Sequence, residues 1–188
     1  MAQTIATETV ALEEFLKLPE TKPASEYIDG KIIQKPMPKG KHSQLQFKLC
    51  RCINDRAEPT QTAYALPELR CTFGTRSIVP DIAVFRWSRI PFDADGEIPN
   101  DFFLSPDWTI EVLPPEQSPS RVIDNIAFCL QSNCQLGWLI DPSDRSILVF
   151  QPQQQPKLFV GNDRLPVLDG IELELTSDRV FSLLKIQH

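Results

Sequence analysis

The stretch DWTIEVLPPEQSPSRVIDNIAFCLQSNCQLGWLID, residues 107–141, decides the fold class of this chain. Apolar side chains alternate at Trp108, Ile110 and Val112, as in a half-buried β-strand, before two prolines end the pattern. Residues 118–133 carry apolar side chains at helical spacing, and residues 136–141 have the composition of a second strand. Strand, helix and strand in this order predict a βαβ-like unit.

The segments on either side predict mainly antiparallel hairpins. Asp29-Gly30 is a favoured two-residue turn, and it lies between short apolar runs in EYIDGKIIQ. The remaining predicted segments are a helix over 9–18, a helix over 42–55, extended segments over 61–74 and 77–87, a loop over 86–106, and a strand, tight turn and strand over 136–152. We therefore expect an α/β (α+β) fold with a mixed sheet, flanking helices, and an N-terminal helix and hairpin.

Length and composition are those of one globular domain. At 188 residues, of which 41% are hydrophobic and 23% charged, the chain predicts a single domain over 1–188 with residues 1–7 frayed. Apolar runs stay well below the roughly 18 residues of a membrane span. The first residues do not have the basic start and apolar core of a secretory signal, so we expect a cytoplasmic protein with no membrane partner.

The five cysteines indicate free thiols. They are odd in number and scattered, at Cys50, Cys52, Cys71, Cys129 and Cys134, which does not suit a disulfide framework. The two histidines, His42 and His188, lie far apart in sequence and have no cysteine pair at zinc-ligand spacing. Buried free thiols are the better interpretation.

A basic stretch interrupts an otherwise acidic chain. The net charge of −6 argues against a protein that coats nucleic acid by electrostatics alone. Residues 31–51, however, contain no acid and carry six basic side chains: Lys31, Lys35, Lys39, Lys41, Lys48 and Arg51. This stretch is either a solvated basic face or a phosphate-facing surface beside an active site.

Two acids occur inside apolar strand patterns. Asp81 lies in VPDIAVF and Glu111 in TIEVL, although acids have little β-propensity and are almost never buried without a partner. Two carboxylates on one face of a sheet need a compensating cation, and Mg²⁺ takes such oxygen ligands. The alternative is a purely structural protein in which Glu111 pairs with a basic neighbour. Signatures of nucleophile elbows, phosphate loops and dinucleotide sites are absent from the sequence.

The order of these segments resembles the Uma-two family of restriction-endonuclease-like proteins, in the PD-(D/E)xK nuclease superfamily. The resemblance is carried by VPD, TIEVLPPEQSPSRVIDNI and LGWLIDPSDRSILVFQP, and by EEFLKLP, EYIDGKIIQKPMP and KGKHSQL before them. It runs from about Leu12 to Leu183. The family implies a restriction-endonuclease-like core and a Mg²⁺-dependent (or Mn²⁺-dependent) endonuclease that hydrolyses phosphodiester bonds in DNA. By analogy with the superfamily, it also implies a homodimer.

The resemblance assigns roles to individual positions. Asp81 and Glu111 become the metal-binding acids, with the backbone carbonyl of Val112 as a further ligand. Glu26 and His42 match an acid and an imidazole that line the same site, and the Glu joins the metal shell. For Glu26 a plain surface strand residue, and for His42 a locally hydrogen-bonded helix start, are the alternatives.

One position departs from the family. The superfamily uses a lysine near the metal, which Leu113 does not supply, and many members carry it on the next helix, 14 residues after the glutamate. That position is Asn125, which can hold water but brings no positive charge. Arg121, one helical turn earlier, is a candidate replacement suited to phosphate, and so are Lys39 and Lys41. A catalytically lapsed binding or assembly module is therefore the second hypothesis.

Overall fold

The computed structural model describes residues 10–115 and 118–186. The residues 1–7 that we predicted to be frayed lie outside this part, and the assignment of 1–188 to one domain stays a prediction. A 3-10 helix at Trp87–Arg89 follows β6. The other elements of the described residues are α1 Leu12–Phe15, β1 Ser25–Ile28, β2 Lys31–Gln34, α2 Gly40–Ala57, β3 Ala63–Pro67, β4 Cys71–Phe73, β5 Arg76–Ile78, β6 Ile82–Arg86, β7 Trp108–Val112, α3 Ser120–Gln131, β8 Leu136–Asp141, β9 Ser146–Phe150, β10 Lys157–Val160 and α4 Ser177–Ser182.

The strands form a six-stranded and a four-stranded sheet. The larger has the order β10-β9-β8-β7-β6-β3, and the smaller β2-β1-β5-β4. β7 and β8 run parallel, with α3 as the connection between them, whereas the other strand pairs of the described residues are antiparallel. The predicted mixed sheet, the βαβ unit and the 29–30 hairpin turn are thus confirmed.

Helix α2 packs on one face of the six-stranded sheet. Its apolar side chains Leu45, Leu49 and Ile53 are fully buried in one cluster with Trp108 and Trp138. The two indole rings meet edge to face with centroids 4.7 Å apart. Because such aromatic pairs add packing energy to a large buried area, they hold β7, β8 and α2 in a fixed arrangement.

Helix α3 covers the opposite face of the same strands. Ile126 on α3 is fully buried against Leu139 and Phe150. A Cβ atom at Gly137 would overlap Cγ2 of Ile126, so the absence of a side chain there allows α3 to approach β8 closely. This close approach brings Asn125, the neighbour of Ile126, to the end of β7.

Some element bounds differ from those predicted. α1 covers Leu12–Phe15 and is shorter than the predicted helix 9–18, of which residue 9 lies outside the described residues. α2 begins at Gly40, two residues before the predicted start. The extended segment 61–74 divides after Pro67 into β3 and β4. Among the helices of the described residues, none has the length and apolar character needed to cross a bilayer.

Candidate active site

A cavity of about 520 Å³ lies where β7 ends and α2 and α3 begin. Strand β1, the loop after β2 and the residues between β5 and β6 also line it. Six polar side chains line its floor: Glu26, Lys35, His42, Asp81, Glu111 and Asn125. Five of these were candidates from the sequence, and Lys35 is the addition.

Local strand geometry delivers the acids to this cavity. β1 and β7 are buried at every position, so their polar side chains cannot turn to solvent. In β7, Glu111 alternates with Ile110 and Val112 and shares the side of Thr109, towards α3. The two prolines that follow β7 line the cavity together with Glu111.

Both carboxylate oxygens of Asp81 are hydrogen-bonded, Oδ1 to one group and Oδ2 to two. Its Oδ1 accepts a hydrogen bond from Lys35 Nζ at 2.8 Å, and its Oδ2 hydrogen-bonds His42 Nε2 at 2.9 Å. The Val112 N–H also donates to Oδ2, at 2.7 Å. Burial alone would raise the pKa of Asp81, but Lys35 and His42 outweigh burial and hold it below its usual range. Asp81 is therefore a carboxylate at neutral pH.

The pKa of Glu111 is shifted in the opposite direction to that of Asp81. Glu111 is 5% exposed, and its Oε2 lies 3.7 Å from Lys35 Nζ. Burial raises the pKa of Glu111 well above its ordinary value, and the charges of Asp81 and Glu26 raise it further against the effect of Lys35. Lys35 alone therefore does not offset the cost of ionising Glu111 at this buried position.

Lys35 is the residue that sequence reasoning missed. Its Nζ donates to the Val79 carbonyl at 2.6 Å as well as to Asp81, so the ammonium is held in place. Burial lowers its pKa, but Glu111, Asp81 and Glu26 outweigh burial, and the net pKa is raised. Lys35 therefore stays charged. The sequence signal was its place in the acid-free stretch 31–51, directly before a proline-rich loop.

Glu26 and Asn125 form a pair on the side of α3. Glu26 is 2% exposed, and its Oε1 accepts from the Val79 N–H at 2.9 Å. Its Oε2 accepts from Asn125 Nδ2 at 3.2 Å. Within the described residues, Asn125 Oδ1 is buried without a hydrogen-bond partner. The surface-strand alternative for Glu26 is wrong, and Asn125 faces the cavity with one unused acceptor.

Two further candidate residues, Arg121 and Val112, line the cavity wall. Gln46, which had no distinguishing signal in the sequence, is buried on α2 and donates from Nε2 to the Asp81 carbonyl at 2.8 Å. Asp81 is therefore held by Gln46 through its backbone carbonyl and by the Val112 N–H through its carboxylate.

The donor set suits a hard divalent ion. In residues 10–115 and 118–186, no three Asp, Glu, His or Cys side chains already surround a common point as metal ligands do. Mg²⁺, however, is commonly held by one or two carboxylates and keeps its other positions for water and phosphate. Asp81 and Glu111 both approach one Lys35 nitrogen, and an added cation would favour the ionised form of Glu111, which burial disfavours.

Comparisons with known proteins show which family the chain belongs to. The model of the Uma2 family, described as "Putative restriction endonuclease", matches residues 12–180. Among curated proteins none matches the chain. A crystal structure described as "a putative nuclease belonging to DUF820 from Anabaena variabilis ATCC 29413" is 52% identical, covers 94% of this chain and 99% of that chain, and has a TM-score of 0.91. The chain belongs to the Uma2 family of restriction-endonuclease-like proteins.

Proposed function

We propose that this protein is an endonuclease that hydrolyses phosphodiester bonds in DNA with Mg²⁺ or Mn²⁺ as cofactor. One observation carries the proposal: three buried carboxylates and one ammonium group converge on the floor of a single cavity. The family description and the nuclease named among solved structures support the same reaction class. Burial of this much charge costs stability, which favours a functional over a purely structural role.

In this proposal Asp81, Glu111 and the Val112 carbonyl hold the metal. When bound, Mg²⁺ would lower the pKa of a water and stabilise the charge that develops on the phosphate. Glu26 is oriented by Val79 N–H and Asn125 Nδ2, and it adds an outer carboxylate on the side of α3. Asp81 is fixed by Val112 N–H, so one ligand also determines the position of the strand end that carries the other.

Lys35 supplies the positive charge that Asn125 does not. Its ammonium lies between Asp81 and Glu111 and stays protonated, so it orients water and phosphate by hydrogen bonds and does not accept a proton. Asn125 positions Glu26 and offers Oδ1 to a water. Arg121 on the cavity wall suits a phosphate oxygen, and His42 holds Asp81 through Oδ2.

The catalytically lapsed module remains the second candidate, because Asn125 replaces a family lysine. Lys35 weakens that candidate, since the charge whose loss would explain inactivity is present at the same cavity. A homodimer belongs to the same proposal, because two cavities in one particle could address two strands. Light scattering during size-exclusion chromatography tests the homodimer directly.

Cleavage and metal binding test the function together. Single-stranded and double-stranded DNA would be incubated with the protein and millimolar Mg²⁺, Mn²⁺ or EDTA, and the same metals would be titrated while unfolding is followed. We expect metal-dependent cleavage and a metal-dependent rise in Tm. Glu111→Gln should lower cleavage by about 10²–10³-fold and reduce the rise in Tm.

Glu97→Gln is the matched control, because Glu97 lies exposed in the loop before β7 and outside the cavity. It should leave cleavage and the metal response unchanged. If no DNA is cut with either metal, and Tm does not respond to either, the proposed function is wrong. Efficient cleavage by the wild-type protein would instead exclude the lapsed module.

A further inference from the structure

The cavity wall above the carboxylates is apolar and rich in proline. Its apolar lining includes Pro23, Pro36, Met37, Pro38, Pro114 and Val122. Met37 is 63% exposed, although it stands at the mouth of a buried polar site. Lys22, Lys39 and Arg121 line the same cavity, so basic groups accompany the apolar wall.

The size and depth of the cavity exceed the needs of a phosphate group alone. A volume of about 520 Å³ falls among those of pockets that enclose whole small molecules. Asp81 and Glu26 are 3% and 2% exposed, so a reacting phosphate must enter the cavity to reach them. A nucleotide that follows its phosphate inwards would leave the base stack of a regular duplex.

The proline wall is chemically suited to a base or sugar and not to phosphate. Proline has no backbone N–H, so residues 36, 38 and 114 cannot provide the donors that commonly hold phosphate oxygens. The apolar proline rings and a flexible methionine instead offer apolar contact, and both residue types act as wedges between bases in other nucleic-acid complexes. Lys39 and Arg121, which line the same cavity, are the groups suited to bind phosphate.

We infer that this cavity takes an unpaired nucleotide of a nucleic-acid strand, with its base against Met37 and the neighbouring prolines. Lys39 and Arg121 would hold the adjoining phosphates, and the carboxylate floor would face the scissile one. The inference rests on the proposed function for the class of ligand. It adds a preference for unpaired nucleotides: the cavity should bind single-stranded, bulged or flipped nucleotides better than a matched duplex.

Binding measured without turnover tests this preference. Fluorescence anisotropy in Ca²⁺, which takes oxygen ligands as Mg²⁺ does, would compare a single strand, a matched duplex and a duplex with one unpaired nucleotide. Gel analysis would confirm that the strands stay intact. We expect the single strand and the bulged duplex to bind about tenfold tighter than the matched duplex, because the duplex must first give up stacking and pairing.

A matched pair of variants locates the preference. Met37→Ala should weaken single-strand binding about threefold to tenfold through lost apolar contact. Leu158→Ala should change nothing, since Leu158 has the same 63% exposure but lies on β10 outside the cavity. 2-Aminopurine at the unpaired position should report altered stacking in the wild type and less in Met37→Ala.

The outcomes separate this inference from the proposed function. A matched duplex that binds as tightly as the unpaired strands, or a Met37→Ala variant that binds like the wild type, would overturn the inference even if the protein cuts DNA. Preferential, Met37-dependent binding without any cleavage would support the inference and contradict the nuclease activity. If no oligonucleotide binds, the inference is overturned.

Discussion

Nζ of Lys35 lies 2.8 Å from Oδ1 of Asp81, across 46 positions of sequence. The lysine comes from the end of the β1–β2 hairpin, and the aspartate precedes β6 in the other sheet. The Val79 carbonyl holds the same ammonium from a second direction, which also keeps it 3.7 Å from Glu111. The positive charge beside both acids thus comes from an element other than α3, where Asn125 lies.

Lys35→Met should impair both cleavage and stability. Removing one partner of a buried ion cluster leaves the other charges uncompensated, so we expect a loss of about 3–5 kcal/mol in the free energy of unfolding without metal. Cleavage should fall by about 10²–10³-fold, as for other removed groups that stabilise developing charge. Urea unfolding in EDTA and cleavage in Mg²⁺ measure the two effects.

Lys31→Met is the control for Lys35→Met, because Lys31 is exposed at the start of β2. It should resemble the wild type in both assays. Millimolar Mg²⁺ should raise the Tm of Lys35→Met more than that of the wild type, since an added cation replaces the lost charge. Equal Tm and equal cleavage in Lys35→Met and wild type would show that the ammonium has no role at the site.

The cysteines should react as buried, protonated thiols. Burial raises the pKa of Cys50 to about 11 and that of Cys134 to about 12, and it also raises those of Cys71 and Cys129. A pH of 8 lies below the pKa of these four thiols, so they are almost entirely protonated. The thiolate is the form that attacks Ellman's reagent. Burial raises the pKa of Cys52 as well, but Cys52 is only half-buried, so we expect it to be the one thiol that reacts in the folded protein.

Denaturant provides the comparison for the thiol titration. All five thiols should react in unfolded protein, because no disulfide joins them. Cys52→Ser should abolish the fast reaction of the folded protein. A second thiol reacting at a similar rate would contradict the burial of the remaining cysteines.

Local patterns predicted the βαβ unit and the acids, because each signal lies within a few neighbouring residues. Alternation in 108–112 and helical spacing in 118–133 require only side-chain period and turn chemistry. β10 was not predicted, because its residues alternate too little in burial to give a clear period. β5 has only three residues and was not separated from β6 within the predicted extended segment 77–87.

The site contacts could be predicted only in part, because most connect distant segments. Asn125 and Glu26 are 99 positions apart, and Gln46 and Asp81 are 35 apart. No local pattern distinguishes Lys35 from Lys31 four residues earlier, although one is held by two acceptors and the other is exposed. Only the packing of the hairpin beside the end of β7 decides which lysine reaches the acids.

Gly137→Ala should destabilise the fold without touching the polar site. The new Cβ would overlap Cγ2 of Ile126, and both groups lie in a closely packed interface between β8 and α3. Overpacking of this kind costs about 1–3 kcal/mol. Urea unfolding should show this loss, and adding Ile126→Ala should make the Gly137→Ala change less harmful in the double variant than in the wild-type background.

Gly40→Ala is the matched control for Gly137→Ala. A Cβ at Gly40 has no atom within 4 Å, and the residue begins α2. The free energy of unfolding of the Gly40→Ala variant should be unchanged or raised by up to about 1 kcal/mol, because alanine favours the helix. A Gly137→Ala variant as stable as Gly40→Ala would mean that α3 can move away from β8 at no cost.

A lysine introduced on α3 can show whether the charge of Lys35 or its particular position matters for cleavage. Asn125 Nδ2 lies 3.2 Å from Glu26 Oε2, so a lysine at position 125 would bring its ammonium to the same acid cluster. In the Lys35→Met background, Asn125→Lys should recover about tenfold or more of the lost cleavage if charge is what the floor requires. Asn125→Met is the control of similar length without charge, and it should recover none. Equal activity of the two double variants would show that Lys35 acts through its particular hydrogen bonds to Asp81 and Val79, and not through its charge.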